Sequence, residues 1–167
     1  LYVPSQAIAL PEPGKSSCKT IVSSKRSFEA ASAYAKAGKR VCVLNFASAT
    51  NPGGGVTRGS TAQEECLCRC STLYPCLDTK TMWHQFYQPH RKAGDPRYND
   101  DLLYTPEVVV FKTDTSAPER MEEKDWYQVD IITCAAPNLR KKPSNAMNPS
   151  AGNAPVKINE KALYELQ

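Results

Sequence analysis

Apolar positions along the chain fall into a few periodic runs separated by polar, proline-marked stretches. Residues 18–24 have the β-branched character of a short strand. Over 24–38, Phe28, Ala31, Tyr34 and Ala35 recur at helical spacing, with serines able to cap the start and Gly38 a natural stop. The run 40–48 is almost continuously apolar, the pattern of a strand buried on both faces. Strand, helix and strand in that order predict a βαβ unit and an α/β fold. Residues 62–77 read as a helix ending near Pro75, and 79–101 as a long polar and aromatic loop with short helical pieces. Two further strands are predicted at 107–113 and 128–136, joined by a charged connection. A loop rich in Pro, Asn and Ser then leads to a last helix at 158–167.

Composition narrows the class. With 167 residues, 41% hydrophobic and 23% charged, the chain suits one soluble domain with its own core. No apolar run reaches membrane-spanning length and no secretory signal is evident, so a cytoplasmic location is expected. The net charge of +4 is mild and its basic residues are scattered, apart from Arg140, Lys141 and Lys142. A specific nucleic-acid partner is therefore not expected, whereas a small anionic ligand is. Four of the seven cysteines, Cys66, Cys68, Cys70 and Cys76, crowd together without any CxxC spacing. Alternate positions on a predicted helix splay thiols apart, which favours inert, reduced thiols over a zinc site.

Candidate chemistry concentrates after the 40–48 strand. Gly53, Gly54 and Gly55 sit between that strand and the helix predicted from 62. A buried strand feeding a Gly-rich turn and a helix start is an anion-binding arrangement. The glycines would let backbone approach a phosphate or ribose, although a flexible loop uses the same residues. Neither GxGxxG nor GxxxxGK[ST] is present. Gln63, Glu64 and Glu65 open the helix. Adjacent helical residues point about 100° apart, so one glutamate is expected to aim at the ligand while the other flanks it. Both acids also suit a helix N-terminus.

The stretch "NFASATNPGGGVTRGSTAQEE", with seven residues between the triple glycine and Gln-Glu-Glu, resembles the signature of poly(ADP-ribose) glycohydrolases. Together with "YTPEVVVFK" and "VDIITCAAPN", it is similar to the bacterial-type (microbial) branch from about residue 18 to 140. The resemblance implies a macrodomain-like three-layer α/β fold, with a mixed central sheet flanked by helices. It implies a single catalytic domain over 1–167, truncated at both ends and lacking the branch's C-terminal phosphate loop. The implied reaction is hydrolysis of ribose–ribose O-glycosidic bonds in poly(ADP-ribose), releasing ADP-ribose without metal or cofactor. In it, Glu65 falls on the catalytic acid and Glu64 on the residue that positions ribose hydroxyls. Ligand contacts fall on Asn45, Ser48, Asn51, Gly53, Gly54, Gly55, Val56, Gln63 and Asn138. The implied partners are poly(ADP-ribose), ADP-ribose and ADP-ribosylated proteins, with no membrane.

Cleaving such a bond requires a proton on the departing oxygen and relief of charge at an oxocarbenium-like carbon. A positioned carboxylic acid offers about 10²–10⁴-fold for the first. Two alternatives stand beside this reading: a hydrolase acting on mono-ADP-ribosylated protein or nucleic acid, and a module that binds ADP-ribose without cleaving it. A pure reader has no need of the second acid, which favours catalysis. Trp83, His84, Phe86, Tyr87 and His90 could stack on an adenine, but such clusters more commonly pack over a core.

Overall fold

The computed structural model describes Leu1, Gly14 and residues 18–138. Residues 18–24 form no strand: they lie exposed, with Ile21 and Val22 in solvent, and no strand among the described residues pairs with them. The predicted βαβ unit at the start is therefore absent. Helix α1 (Ser27–Lys36) begins where Glu29 reaches back to the Arg26 N–H at 3.3 Å. Its first turn is also held by Asp114, whose Oδ2 accepts from the Phe28 N–H at 3.0 Å. A carboxylate distant in the chain, rather than the local serines, thus satisfies a free N-terminal amide. The helix stops before Gly38, at φ +73°.

Strand β1 (Cys42–Phe46) alternates instead of being buried on both faces: Val43 and Asn45 point inward, while Leu44 and Phe46 are 45% and 63% exposed. The sheet has three strands in the order β1-β3-β2, with β2 spanning Leu102–Val110 and β3 spanning Tyr127–Cys134. β1 runs parallel and β2 antiparallel to the central β3, so the sheet is mixed and the fold is α/β. β2 begins ahead of the predicted 107 because Pro106 interrupts the pattern without ending the strand. It sits on a sheet edge, at a bulge between Thr105 and Val108 where Glu107 takes φ +54°.

The helix predicted over 62–77 is two helices, α2 (Gln63–Cys70) and α3 (Leu73–Leu77). The break at Ser71 and Thr72 is made by β2. The Thr72 N–H donates to Val109 O at 3.0 Å, and the Val109 N–H donates to Thr72 Oγ1 at 3.0 Å. Pro75 lies within the first turn of α3, where its missing N–H costs nothing, and does not terminate it. Residues 79–101 contain α4 (Lys80–Met82), a π-helical turn (Trp83–Tyr87) and α5 (Gln88–Ala93). These elements bury Phe28, Leu67, Leu73, Leu77, Phe86 and Tyr87 against the inward residues Val43, Leu103, Val110 and Ile131 in one cluster. No helix among the described residues is long and apolar enough to cross a membrane. The predicted loop beyond 138 and the helix at 158–167 lie outside the described residues.

Candidate active site

The C-terminal end of β1 opens onto a cavity of about 540 Å³ lined by Phe46–Ser48, Asn51, Gly54, Gly55, Arg58, residues 60–62 and, on α2, Glu64 and Glu65. Two arms of chain frame it. The first leaves β1 through Ser48, whose Oγ accepts from the N–H groups of Thr50 (3.3 Å) and Asn51 (3.1 Å). Arg91 on α5 braces this arm, donating Nη1 to Thr50 O at 3.0 Å and to Asn51 Oδ1 at 3.1 Å. The second arm is the Gly-rich turn followed by a 3-10 turn (Val56–Arg58) and the exposed residues 57–62.

The floor is carboxylate. Glu64 and Glu65 are 3% and 7% exposed. The Ser48 N–H donates to Glu64 Oε2 at 2.7 Å, and the Gly55 N–H donates to Glu65 Oε1 at 2.8 Å. The other oxygen of each, Glu64 Oε1 and Glu65 Oε2, is buried with no partner among the described residues. Buried oxygens are almost always bonded, so two orphans on neighbouring residues that line one cavity point to a ligand that supplies the donors. Burial, only partly offset by the Ser48 N–H, pushes the Glu64 carboxyl up to about 7. The Asn45 amide faces the same carboxylate from behind. Its Nδ2 donates to Thr133 Oγ1 at 3.2 Å, which leaves Oδ1 orphaned.

The glycines answer to this arrangement more than to bare ligand contact. A Cβ on Gly54, at φ +58°, would stand 2.5 Å from Glu65 Oε1 and 3.0 Å from Glu64 Oε2. Gly54 is therefore the point on which both carboxylates converge. A Cβ on Gly53, at φ +63°, would meet the Tyr74 ring at 2.6 Å, and one on Gly55 would strike Ser60 Oγ. The chain's own side chains fill the space that side chains at 53–55 would need.

Among the residues expected at the ligand, Ser48, Asn51, Gly54, Gly55, Glu64 and Glu65 line one cavity. Asn45 stands behind Glu64, Gly53 lies under Tyr74, and Val56 packs on the core. Gln63 departs from the expectation. Its Oε1 accepts from the Phe46 N–H at 2.8 Å, and its Nε2 donates to Leu44 O at 2.8 Å and to Ser27 Oγ at 2.9 Å. The side chain pairs with the edge of β1 that faces away from β3, as another strand would. Asn138 donates its N–H to Pro96 O and does not line the cavity. Sequence reasoning passed over Arg58, Ser60 and Thr61, which had no signal beyond lying between the glycines and Gln63.

Trp83, Phe86, Tyr87 and His90 pack over the core, while His84 is exposed. Phe86 and Tyr87 are fully buried, and Trp83 lies beneath the Arg91 guanidinium at 5.6 Å. His90 is tied at both nitrogens, to Phe86 O and Asn99 Oδ1, as a structural histidine is. The Cys68 thiol is buried and its pKa is pushed far up; burial raises Cys70 to about 11. Both are thus protonated and inert at neutral pH. No group of three or more potential metal ligands occurs among the described residues. A larger cleft of about 850 Å³ opens at the opposite end of the strands. Three of its four cationic side chains are already paired, and it holds no orphaned buried polar atom among the described residues. The smaller, carboxylate-floored cavity is the better site.

The chain has no significant match among curated proteins. Among solved structures it is similar to poly(ADP-ribose) glycohydrolase from Thermomonospora curvata bound to the inhibitor ADP-HPD, at 41% identity and a TM-score of 0.58. That match covers 67% of this chain and 40% of the other. It is also similar to the enzyme from Deinococcus radiodurans in complex with ADP-ribose, at 37% identity and a TM-score of 0.60, covering 68% and 43%. The chain thus spans about two-fifths of the length of these relatives. A family model described as the microbial-type PARG catalytic domain matches residues 1–113, more than half of the chain, and the chain belongs to that family.

Proposed function

We propose that the chain hydrolyses ribose–ribose O-glycosidic bonds of poly(ADP-ribose) in the cytoplasm, without a metal, and releases ADP-ribose. The observation that carries the reading is the pair of buried carboxylates converging on Gly54, each with one oxygen fixed by a backbone N–H and one left without a partner. Family relatives hold ADP-ribose or an inhibitor, which supports the ligand class.

In this reading Glu65 Oε2 delivers its proton to the glycosidic oxygen of the departing ribose. The C–O bond breaks with its electron pair going to that oxygen, and positive charge develops at the anomeric carbon. The diphosphate of the retained unit offsets that charge. Water then adds to the carbon and returns its proton to the Glu65 carboxylate. The Gly55 N–H aims the carboxyl throughout. Glu64, half protonated near pH 7, uses Oε1 to accept from or donate to a ribose hydroxyl, which fixes the sugar beside Glu65.

Incubation with poly(ADP-ribose), read by chromatography of free ADP-ribose, tests the proposal. Wild type should release ADP-ribose, and Glu65→Gln should lose at least about 10²-fold in turnover while retaining ADP-ribose binding. Turnover by Glu65→Gln close to the wild-type rate would remove Glu65 from the role.

A further inference from the structure

We infer that Arg58 binds the diphosphate of the departing ADP-ribose unit and so makes the site favour a polymer over a lone ADP-ribosyl group. The inference rests on the function proposed above. Both carboxylates meet at Gly54, but Glu65 accepts from the Gly55 N–H of the glycine arm, whereas Glu64 accepts from the Ser48 N–H on the other. The proton donor stands next to the oxygen that leaves, so the departing group runs out on the Glu65 side, along residues 57–62. That rim is exposed throughout.

Arg58 is the one cation among the described residues lining the cavity. The other guanidiniums nearby are committed: Arg91 to Thr50 O and Asn51 Oδ1, and Arg69 to Ser60 O at 2.6 Å. The Arg58 side chain makes no ion pair or hydrogen bond among the described residues, while its backbone is anchored by its N–H to Gly55 O at 2.9 Å. A fixed root and a free guanidinium suit an anion arriving from solvent, and guanidinium matches phosphate oxygens in a two-pronged contact. Next to a departing ribose, the group carrying such oxygens is the diphosphate of the same unit. A mono-ADP-ribosyl group on a side chain offers none there, and Arg58 then contributes nothing.

Calorimetric titration of Glu65→Gln and of the Glu65→Gln/Arg58→Gln double variant, with ADP-ribose and with a two-unit poly(ADP-ribose) fragment, decides the matter. Losing Arg58 should leave ADP-ribose affinity unchanged and weaken the two-unit fragment by about five- to tenfold, the range of one charge-assisted contact in a wet rim. Arg58→Lys should recover part of the loss, and the difference should shrink with added salt. Equal fragment affinities in both proteins would overturn the inference, as would a loss of ADP-ribose binding as large as the loss for the fragment. Failure of Glu65→Gln to bind ADP-ribose at all would instead overturn the proposed function beneath it.

Discussion

Gly54 shows how one residue without a side chain can organise two that carry the chemistry. Its φ of +58° is open to glycine and costs an L-residue about 1–2 kcal/mol. The missing Cβ also leaves room for Glu65 Oε1, which would otherwise sit 2.5 Å away. Gly54→Ala must therefore displace the carboxyl that its neighbour Gly55 holds. The expected outcome is a folded protein with a melting temperature lower by several degrees and turnover reduced by about 100-fold or more. Near-normal turnover of poly(ADP-ribose) by this variant would show that the carboxylates do not depend on the close approach. The triple glycine was legible as a special loop from the sequence. That its reason is the crowding of Glu64, Glu65, Tyr74 and Ser60 was not, because those contacts join residues brought together only by folding.

At the scale of elements, β1 is the instructive case. Its hydrogen-bonding edge away from β3 would invite another strand. Gln63 closes it by bonding the Phe46 N–H and Leu44 O with one amide, and its third contact, to Ser27, ties α1 to the same point. The first residue of α2 is thereby locked to β1, and the next two residues, Glu64 and Glu65, are placed over the glycine turn. Gln63→Ala should lower unfolding free energy by about 1–3 kcal/mol, read in urea. It should also lower kcat more than it raises KM, because what it loosens is the placement of the acids. A change in KM alone would indicate that Gln63 meets the ligand after all. Helix and strand periodicity found α1, β1, α2 and β3, but the seam between α2 and α3 escaped it. Leu67, Leu73 and Leu77 keep an apolar rhythm across the break that β2 imposes at Ser71 and Thr72.

For the whole molecule, the acidic floor carries a stability cost that depends on pH. Burial raises the Glu64 carboxyl from its ordinary 4.5 to about 7, so the folded protein holds that proton more tightly than the unfolded chain. An acid shifted upward contributes its full stability below the unfolded value and loses it as pH rises through the folded one. From pH 5 to pH 8, wild type should therefore lose up to about 3 kcal/mol relative to Glu64→Gln, which has no proton to release. Melting curves of the two proteins across that range provide the measurement, and a constant gap between them would refute the shift. Such a cost is the expected companion of a site in which two acids are kept dry until a sugar supplies their donors.

The sequence by itself determined the class of fold, the order of most elements and the short interval that holds the site, because periodicity, turn residues and the glycine–glutamate spacing are properties of neighbouring positions. Tertiary structure decided the rest. It left 18–24 exposed, with no partner strand among the described residues, and committed the Gln63 amide to the edge of β1. It also set Arg58 free at the rim while committing Arg69 and Arg91. Which polar groups find partners, and which are left bare for a ligand, depends on contacts between residues far apart in the chain, and no local pattern encodes them.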